Sequence, residues 1–276
     1  MIASIQVSSL TLNADGYTVI NKLDGLDLPP VRLSSFNLAG EHFGRHVAAY
    51  YGARRFSLGG VLKGDSVNDF LARRTAFFDA FDAFNGEQTI TFTLSDGRVL
   101  TLTAVTVNLD FSPHAGWATA AAFHVELEAA FPFFTSANVT SIALSLPTGG
   151  GGTVPPSTMP MGLSMGGGSS VATFNPGTSP SYPTIRIAGP VTNPAIRNIT
   201  TGKELRLALT MVAGEYLDID ARGKTITDQG GTNRYAIRSG DWLTIQPGSN
   251  TLAFVADSSD PAALATVAYA ATYLAI

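Results

Sequence analysis

Residues 88–131 leave little room for anything but antiparallel sheet. In "QTITFTL" (88–94) the side chains of Ile90, Phe92 and Leu94 alternate with Thr89, Thr91 and Thr93, the period of two expected of a strand with one buried face. "SDGR" then turns the chain. Along "VLTLTAVTVNLDF" (99–111) the apolar positions switch from even (Leu100, Leu102) to odd (Val105, Val107, Leu109, Phe111), which predicts a one-residue bulge near Thr103 or Ala104. "ATAAAFHVELEAAF" (118–131) alternates again, with Phe123, Val125, Leu127 and Phe131 on the buried face and His124, Glu126 and Glu128 on the other. Three long strands in succession predict an antiparallel meander.

One helix interrupts the strands. "DSVNDFLARRTAFFDAFDAFNG" (65–86) places Val67, Phe70, Leu71, Phe77, Phe78, Phe81 and Phe84 at a 3.6-residue period. Ser66 with Asp69 three residues on reads as a capping box with Asp in place of Glu, and Asn85-Gly86 as the stop, so a helix is expected over about 65–84. Its aromatic stripe should lie against the sheet. Arg74 falls within that stripe by spacing, and is expected either to reach past the aromatics to water or to mark contact with another subunit.

From about residue 183 the chain is all strand by pattern. "PTIRIAG", "KELRLALTMV", "EYLDID", "DWLTI", "NTLAFVA" and "ATVAYAATYLAI" are short apolar runs parted by turns such as "ARGK", "RSGD" and "QPGSN". That spacing predicts a β-sandwich or jelly roll. Between the two halves, residues 129–185 contain no Asp, Glu, Lys or Arg, although charged residues make up 14% of the 276-residue chain. A floppy tether would normally be kept soluble by charge, so 135–182 is read as an arm that docks on its own domain or on a neighbour. Met159, Met161 and Met165 lie in it. The expected division is therefore 1–134, 135–182 and 183–276.

The totals exclude several functions. Net charge is −4, with nine Lys/Arg against thirteen Asp/Glu in residues 1–134 and eight against eight thereafter, so neither half is a basic nucleic-acid footprint. There is no Cys, hence no thiolate nucleophile, disulfide or Cys-ligated zinc. No stretch resembles a signal peptide or a membrane span, and a soluble protein that is not exported by a signal peptide is expected.

Candidate catalytic constellations fail on chemistry. "GLSMG" (162–166) fits the G-x-S-x-G elbow, but a nucleophilic Ser164 would need an acid and then a His downstream, and His42, His46, His114 and His124 all precede it. His42 and His46 have metal-ligand spacing only on a helix, which Gly44 opposes. Asp218 and Asp220 sit at a separation open to a glycosidase pair, yet both flank a polar turn where neither would stay protonated. "TTGKEL" ends like a P-loop but has Glu204 where magnesium needs Ser or Thr. Trp242 reads as an inward-facing core anchor before a sugar platform. No catalytic, cofactor or metal site is expected.

Other residues carry a family resemblance. "RRFSLGGVLKG" (54–64), the Phe-rich helix, "TFTLSDGRVLTLTAVTV" and the strand ending in "AAFPFF" resemble the N-terminal domain of siphophage distal tail proteins. "NPAIRNITTGKEL", "GEYLDIDARGKTI" and "GDWLTIQPGSNTLAF" resemble that family's C-terminal domain. Many relatives have an acidic residue before the Pro of "AAFPFF", where this chain has Phe131.

The resemblance implies a mainly β protein, with an N-terminal β-sandwich or split-barrel-like domain carrying one helix and a C-terminal galectin-like β-sandwich. It also implies a structural virion protein at the distal end of a phage tail, assembled in the host cytoplasm. There it would form a homo-hexameric ring joining the tail tube protein to the tail-tip hub protein, with the tape measure protein a further candidate neighbour. Receptor-binding or side-fibre proteins would attach to it, and DNA would pass through the channel without specific binding. An acidic N-terminal half suits such a channel, because a basic lining would hold phosphates. Inter-subunit contacts are expected from "GEHFGRHVAAYYGARR" (40–55), in particular Phe43, Tyr50 and Tyr51, from Arg74, and from the arm near Met159, Met161 and Met165. The rival reading is a carbohydrate-binding tail-tip module that grips the host surface.

Overall fold

A computed structural model of the chain describes residues 2–14, 16–40, 42–113, 118–146, 170–257 and 260–276. They form two compact units, one of residues 1–137 with 273–276, the other of residues 138–272.

The first unit contains β1 (Ile2–Val7), β2 (Leu10–Leu12), β3 (Thr18–Asp24), β4 (Val31–Asn37), β5 (Gly44–Tyr51), β6 (Arg54–Lys63), α1 (Val67–Ala80), β7 (Gln88–Leu94), β8 (Val99–Pro113) and β9 (Ala120–Ala129), and β10 (Phe134–Ser145) starts in it. Antiparallel pairing runs β2-β1-β7-β8-β9-β6-β3. The meander of β7, β8 and β9 is thus present. Its middle strand serves two partners, since Val99–Ala104 pairs with β7 and Val105 onward with β9. The bulge lies further along than expected, with Val107 as the extra residue between Thr106 and Asn108. Even positions stay buried through Ala104 and Thr106, so the parity change comes after them, and Val107 is turned outward at 52% exposure. In β9, Phe123, Val125 and Leu127 are buried as expected, joined by Ala121 and Ala129, whereas Phe131 lies beyond the strand and is half-buried.

Helix α1 is shorter than its aromatic spacing suggests. Ser66 caps it by accepting the Asp69 N–H at 3.2 Å, and the Asp69 carboxylate reaches back to the Asp65 N–H at 3.0 Å, one residue earlier than in a standard box. The helix ends at Ala80. Asp82 adopts an extended ψ and its carboxylate accepts the Phe84 N–H, starting a separate 3-10 turn at Ala83–Asn85. Phe70, Phe77 and Phe81 are buried, with Phe77 4.7 Å from the Phe123 ring and 6.2 Å from Phe111. Val67, Leu71 and Phe84 are exposed, contrary to the expected stripe, because the helix touches the sheet along a narrower line than its apolar residues cover.

The second unit contains β11 (Ser170–Asn175), β12 (Thr184–Ala188), β13 (Val191–Thr192), β14 (Ala195–Asn198), β15 (Lys203–Leu207), β16 (Thr210–Met211), β17 (Tyr216–Asp220), β18 (Thr225–Asp228), β19 (Arg238–Gly240), β20 (Gly248–Val255) and β21 (Leu264–Tyr273). One layer is β11-β20-β14-β15-β19 and the other includes β18-β17-β12-β21, with β13 and β16 as a separate pair. Ile185, Ile187, Ile219 and Val267 from one layer meet Ile196, Leu205, Leu252 and Phe254 from the other in a single apolar core. This is the two-layer sandwich that evenly spaced strands predict.

Part of the uncharged segment is built into this unit. β11 pairs with β20, and residues 176–183 are pinned by buried polar side chains: the Asn175 amide donates to the Ile245 carbonyl at 2.9 Å and its oxygen accepts the Gly177 N–H at 2.9 Å. The Thr272 hydroxyl donates to the Ser179 carbonyl at 3.0 Å. Backbone groups satisfied in this way need no charged side chain. Residues 147–169, with Met159, Met161, Ser164 and Met165, lie outside the described residues, as does His114.

Candidate functional site

The feature of the first unit that its own packing leaves unexplained is the hairpin β4–β5. Its strands pair from Val31↔Tyr51 to Asn37↔Gly44, and Val47 is the extra residue at a bulge between Ser34 and Ser35. The Gly52 N–H donates to the Pro30 carbonyl at 2.7 Å and closes the base. Among the described residues these two strands pair only with each other. Neither face is buried: Val31, Leu33, Phe36, Phe43, Val47 and Tyr50 are all between 47% and 66% exposed. A lone two-stranded ribbon is marginal in water, and contiguous exposed apolar surface of this kind marks an interaction site. Covering half of its apolar surface would contribute on the order of 10 kcal/mol before ordering costs. The hairpin is also basic against an acidic body. Residues 28–51 hold Arg32 and Arg45 against Glu41, while the rest of residues 1–134 holds seven Lys/Arg against twelve Asp/Glu.

The root of the hairpin is held by Arg54. Its side chain is fully buried and donates from Nε to the Pro132 carbonyl at 2.7 Å, from Nη1 to the Gly25 and Asp27 carbonyls at 2.8 and 2.6 Å, and from Nη2 to the Leu274 carbonyl at 2.5 Å. The guanidinium stands 4.6 Å from the Phe134 ring centroid. Burial pushes its pKa down to about 10, so it is a cation at neutral pH. Strand alternation puts the next residue on the opposite face, where Arg55 pairs with Glu128 in water at 2.7 Å. Gly25 is equally constrained: its φ is +79°, and a Cβ there would stand 2.2 Å from the Arg55 carbonyl oxygen. The chain segment entering the hairpin is therefore held at Gly25 and Asp27.

The residues expected at subunit contacts fall in three places. Phe43 and Tyr50 are on the hairpin, 60% and 63% exposed, and Tyr51 is at its base with an edge contact of 5.5 Å to Phe133. Arg74 is on the exposed side of α1, its guanidinium over Phe78 and Phe111 at 5.1 and 5.6 Å, which is the geometry of a side chain reaching past aromatics. The three methionines lie outside the described residues. Sequence reasoning missed Leu33 and Phe36 because β4 shows no buried face. It also took Arg54 as one letter of a motif.

The residues weighed for chemistry are occupied otherwise. Asp218 accepts both Nε and Nη2 of Arg186 at 2.7 Å, and Asp220 accepts the N–H groups of Arg222 and Gly223. Glu204 bridges Arg197 and Arg206. Trp242 packs against the core of the second unit, with Arg238 5.1 Å from its ring. The Tyr17 hydroxyl donates to Asp65 at 2.5 Å, which raises its pKa, under the Arg73 guanidinium. His46 lies within β5 opposite Ser35, in a strand and not on a helix.

Residues 176–273 match the family model described as siphovirus-type tail component, C-terminal domain. No curated protein matches the chain by sequence. The crystal structure of the phage SPP1 Dit protein, described as a paradigm of the hub adsorption apparatus in phages infecting Gram-positive bacteria, is similar over 98% of each chain, with a TM-score of 0.68 and 14% identity. A chain of the phage P2 baseplate in its activated conformation with Ca is similar over 96% of each chain, with a TM-score of 0.51 and 12% identity. Residues 176–273 thus match the siphovirus-type tail-component C-terminal domain family, and the chain as a whole shares the fold of the SPP1 Dit protein.

Proposed function

We propose that the protein is a structural component of the virion that closes into a six-membered ring at the distal end of a phage tail, between the tail tube and the tail-tip hub, and carries receptor-binding or fibre proteins. The ring is built on the first unit. The observation that carries this reading is the hairpin β4–β5, which exposes apolar side chains on both faces and finds no cover among the described residues. A second copy supplies that cover, with the basic hairpin of one subunit lying on the acidic body of the next. Phe43, Tyr50 and Tyr51 are contact residues in this arrangement, with Arg74 on the same ring-forming unit. Six acidic bodies around the channel let DNA pass without holding it. The second unit, balanced in charge, carries the fibre proteins. No bond is made or broken. Immunogold labelling of assembled particles tests the reading: label confined to the tail tip supports it, and label on the capsid, or along the whole tail, or absent from the particle overturns it.

A further inference from the structure

The second unit carries a groove walled by hydroxyl groups. β18, β17, β12 and β21 are neighbours in one layer, and their inward side chains, among them Ile226, Ile219, Ile185 and Val267, fill the core. Alternation turns the residues between them to the other face, where strand pairing aligns them in rows across the sheet. Thr227, Asp218, Arg186 and Thr266 make one row. Thr225, Asp220, Thr184 and Ala268 make the next. Both rows line a groove of about 570 Å³, within the roughly 300–1,000 Å³ usual for ligand clefts.

Its one basic side chain is already matched. Arg186 donates from Nε and Nη2 to the two carboxylate oxygens of Asp218 at 2.7 Å, and its guanidinium stands 4.4 Å from the Tyr216 ring centroid, so it is fixed from two sides. Asp220 accepts the Arg222 and Gly223 N–H groups at 2.8 and 3.0 Å. With Arg186 set against Asp218 and Asp220, the groove has no surplus of basic groups with which to hold a phosphate or a carboxylate. Among the described residues no acidic or histidine cluster could hold a metal ion. What the groove does offer is hydroxyls. A threonine hydroxyl both donates and accepts, and the methyl group beside it supplies apolar contact. That mixture matches a sugar ring, which presents hydroxyls and C–H groups side by side. The Thr184 hydroxyl makes a long bond of 3.4 Å to the Ala268 carbonyl, which a ligand can replace. The Arg186–Asp218 pair takes two of the five guanidinium N–H groups and leaves carboxylate lone pairs over, adding donors and acceptors at fixed positions.

We propose that this face binds a neutral saccharide, a chain of uncharged hexopyranose units lying across β18, β17, β12 and β21. The site does not depend on assembly of copies, because its residues all belong to one unit of one chain.

Saturation-transfer NMR on the full-length protein tests the proposal, with maltohexaose, cellohexaose, mannohexaose and chitohexaose as probes at about 1 mM and trigalacturonic acid as the charged comparison. Transfer to at least one neutral probe, and none to the charged one, is expected. Combining Thr184→Val, Thr227→Val and Thr266→Val removes three hydroxyls while keeping side-chain shape and strand preference, and is expected to raise the dissociation constant at least about tenfold. Each substitution is also measured singly, so that misfolding of the triple variant does not decide the outcome. Thr251→Val, on β20 in the other layer, is expected to bind as the unsubstituted protein does. Absence of transfer to every neutral probe, transfer to trigalacturonic acid alone, or binding that the three threonine substitutions leave intact overturns the proposal. A tail-tip location would stand in each of those cases, since labelling of particles measures it separately.

Discussion

Arg54→Met replaces the buried guanidinium with an unbranched apolar side chain of similar reach. Four carbonyl oxygens, of Gly25, Asp27, Pro132 and Leu274, lose the donors they have in the folded protein. A buried acceptor left unsatisfied costs about 1–3 kcal/mol, and hydrogen bonds to a charged donor contribute about 1.5–3 kcal/mol each. Against this, the substitution removes the desolvation cost of a buried cation, which breaking one side of a buried charged cluster recovers only in part. A net loss of about 4–6 kcal/mol is expected, a large share of the 5–15 kcal/mol typical of a domain. Arg55→Met is the matched control. It removes an exposed pair with Glu128 and should cost under about 1 kcal/mol. The readout is hydrogen exchange by mass spectrometry across a urea series, followed in peptides of β6 and β9 so that the first unit is measured by itself. Equal urea midpoints for the two variants would refute the reasoning, and would mean that water satisfies those carbonyls as well as Arg54 does.

Two further substitutions probe the same unit. Gly25→Ala forces a Cβ to within 2.2 Å of the Arg55 carbonyl at a left-handed φ, and a loss of at least about 2 kcal/mol is expected by the same exchange measurement, with no effect on peptides of the second unit. Phe77→Ala empties the space between α1, Phe111 and Phe123 and should cost about 3–5 kcal/mol in a urea midpoint shift, with α1 amides losing protection together.

The parts of the fold legible in the sequence are those where a buried face repeats at a regular period. β7 and β9 announce themselves because every second residue is in the core. The bulge in β8 cannot be placed from the apolar pattern because Val105 suits either parity, and only its pairing with Glu128 fixes the register. The helix was extended to Phe84 because the 3.6 period continues past the point where Asp82 breaks it. Phe84 thereby passed as core when it is the most exposed aromatic described. The hairpin was illegible for a deeper reason. A strand pair with no buried face among the described residues has no periodicity to read. Arg54 and Arg55 are adjacent identical letters with opposite fates, and only strand parity tells them apart.

In the proposed ring, copies of this chain cover one another's hairpins. Native mass spectrometry of the full chain across a concentration series, beside a variant with residues 31–51 replaced by a short Gly-Ser turn, tests it most directly. A six-copy species is expected for the intact chain and a folded monomer for the variant. Assembly that survives loss of the hairpin, or an intact chain that stays monomeric at the highest concentration reached, would contradict it.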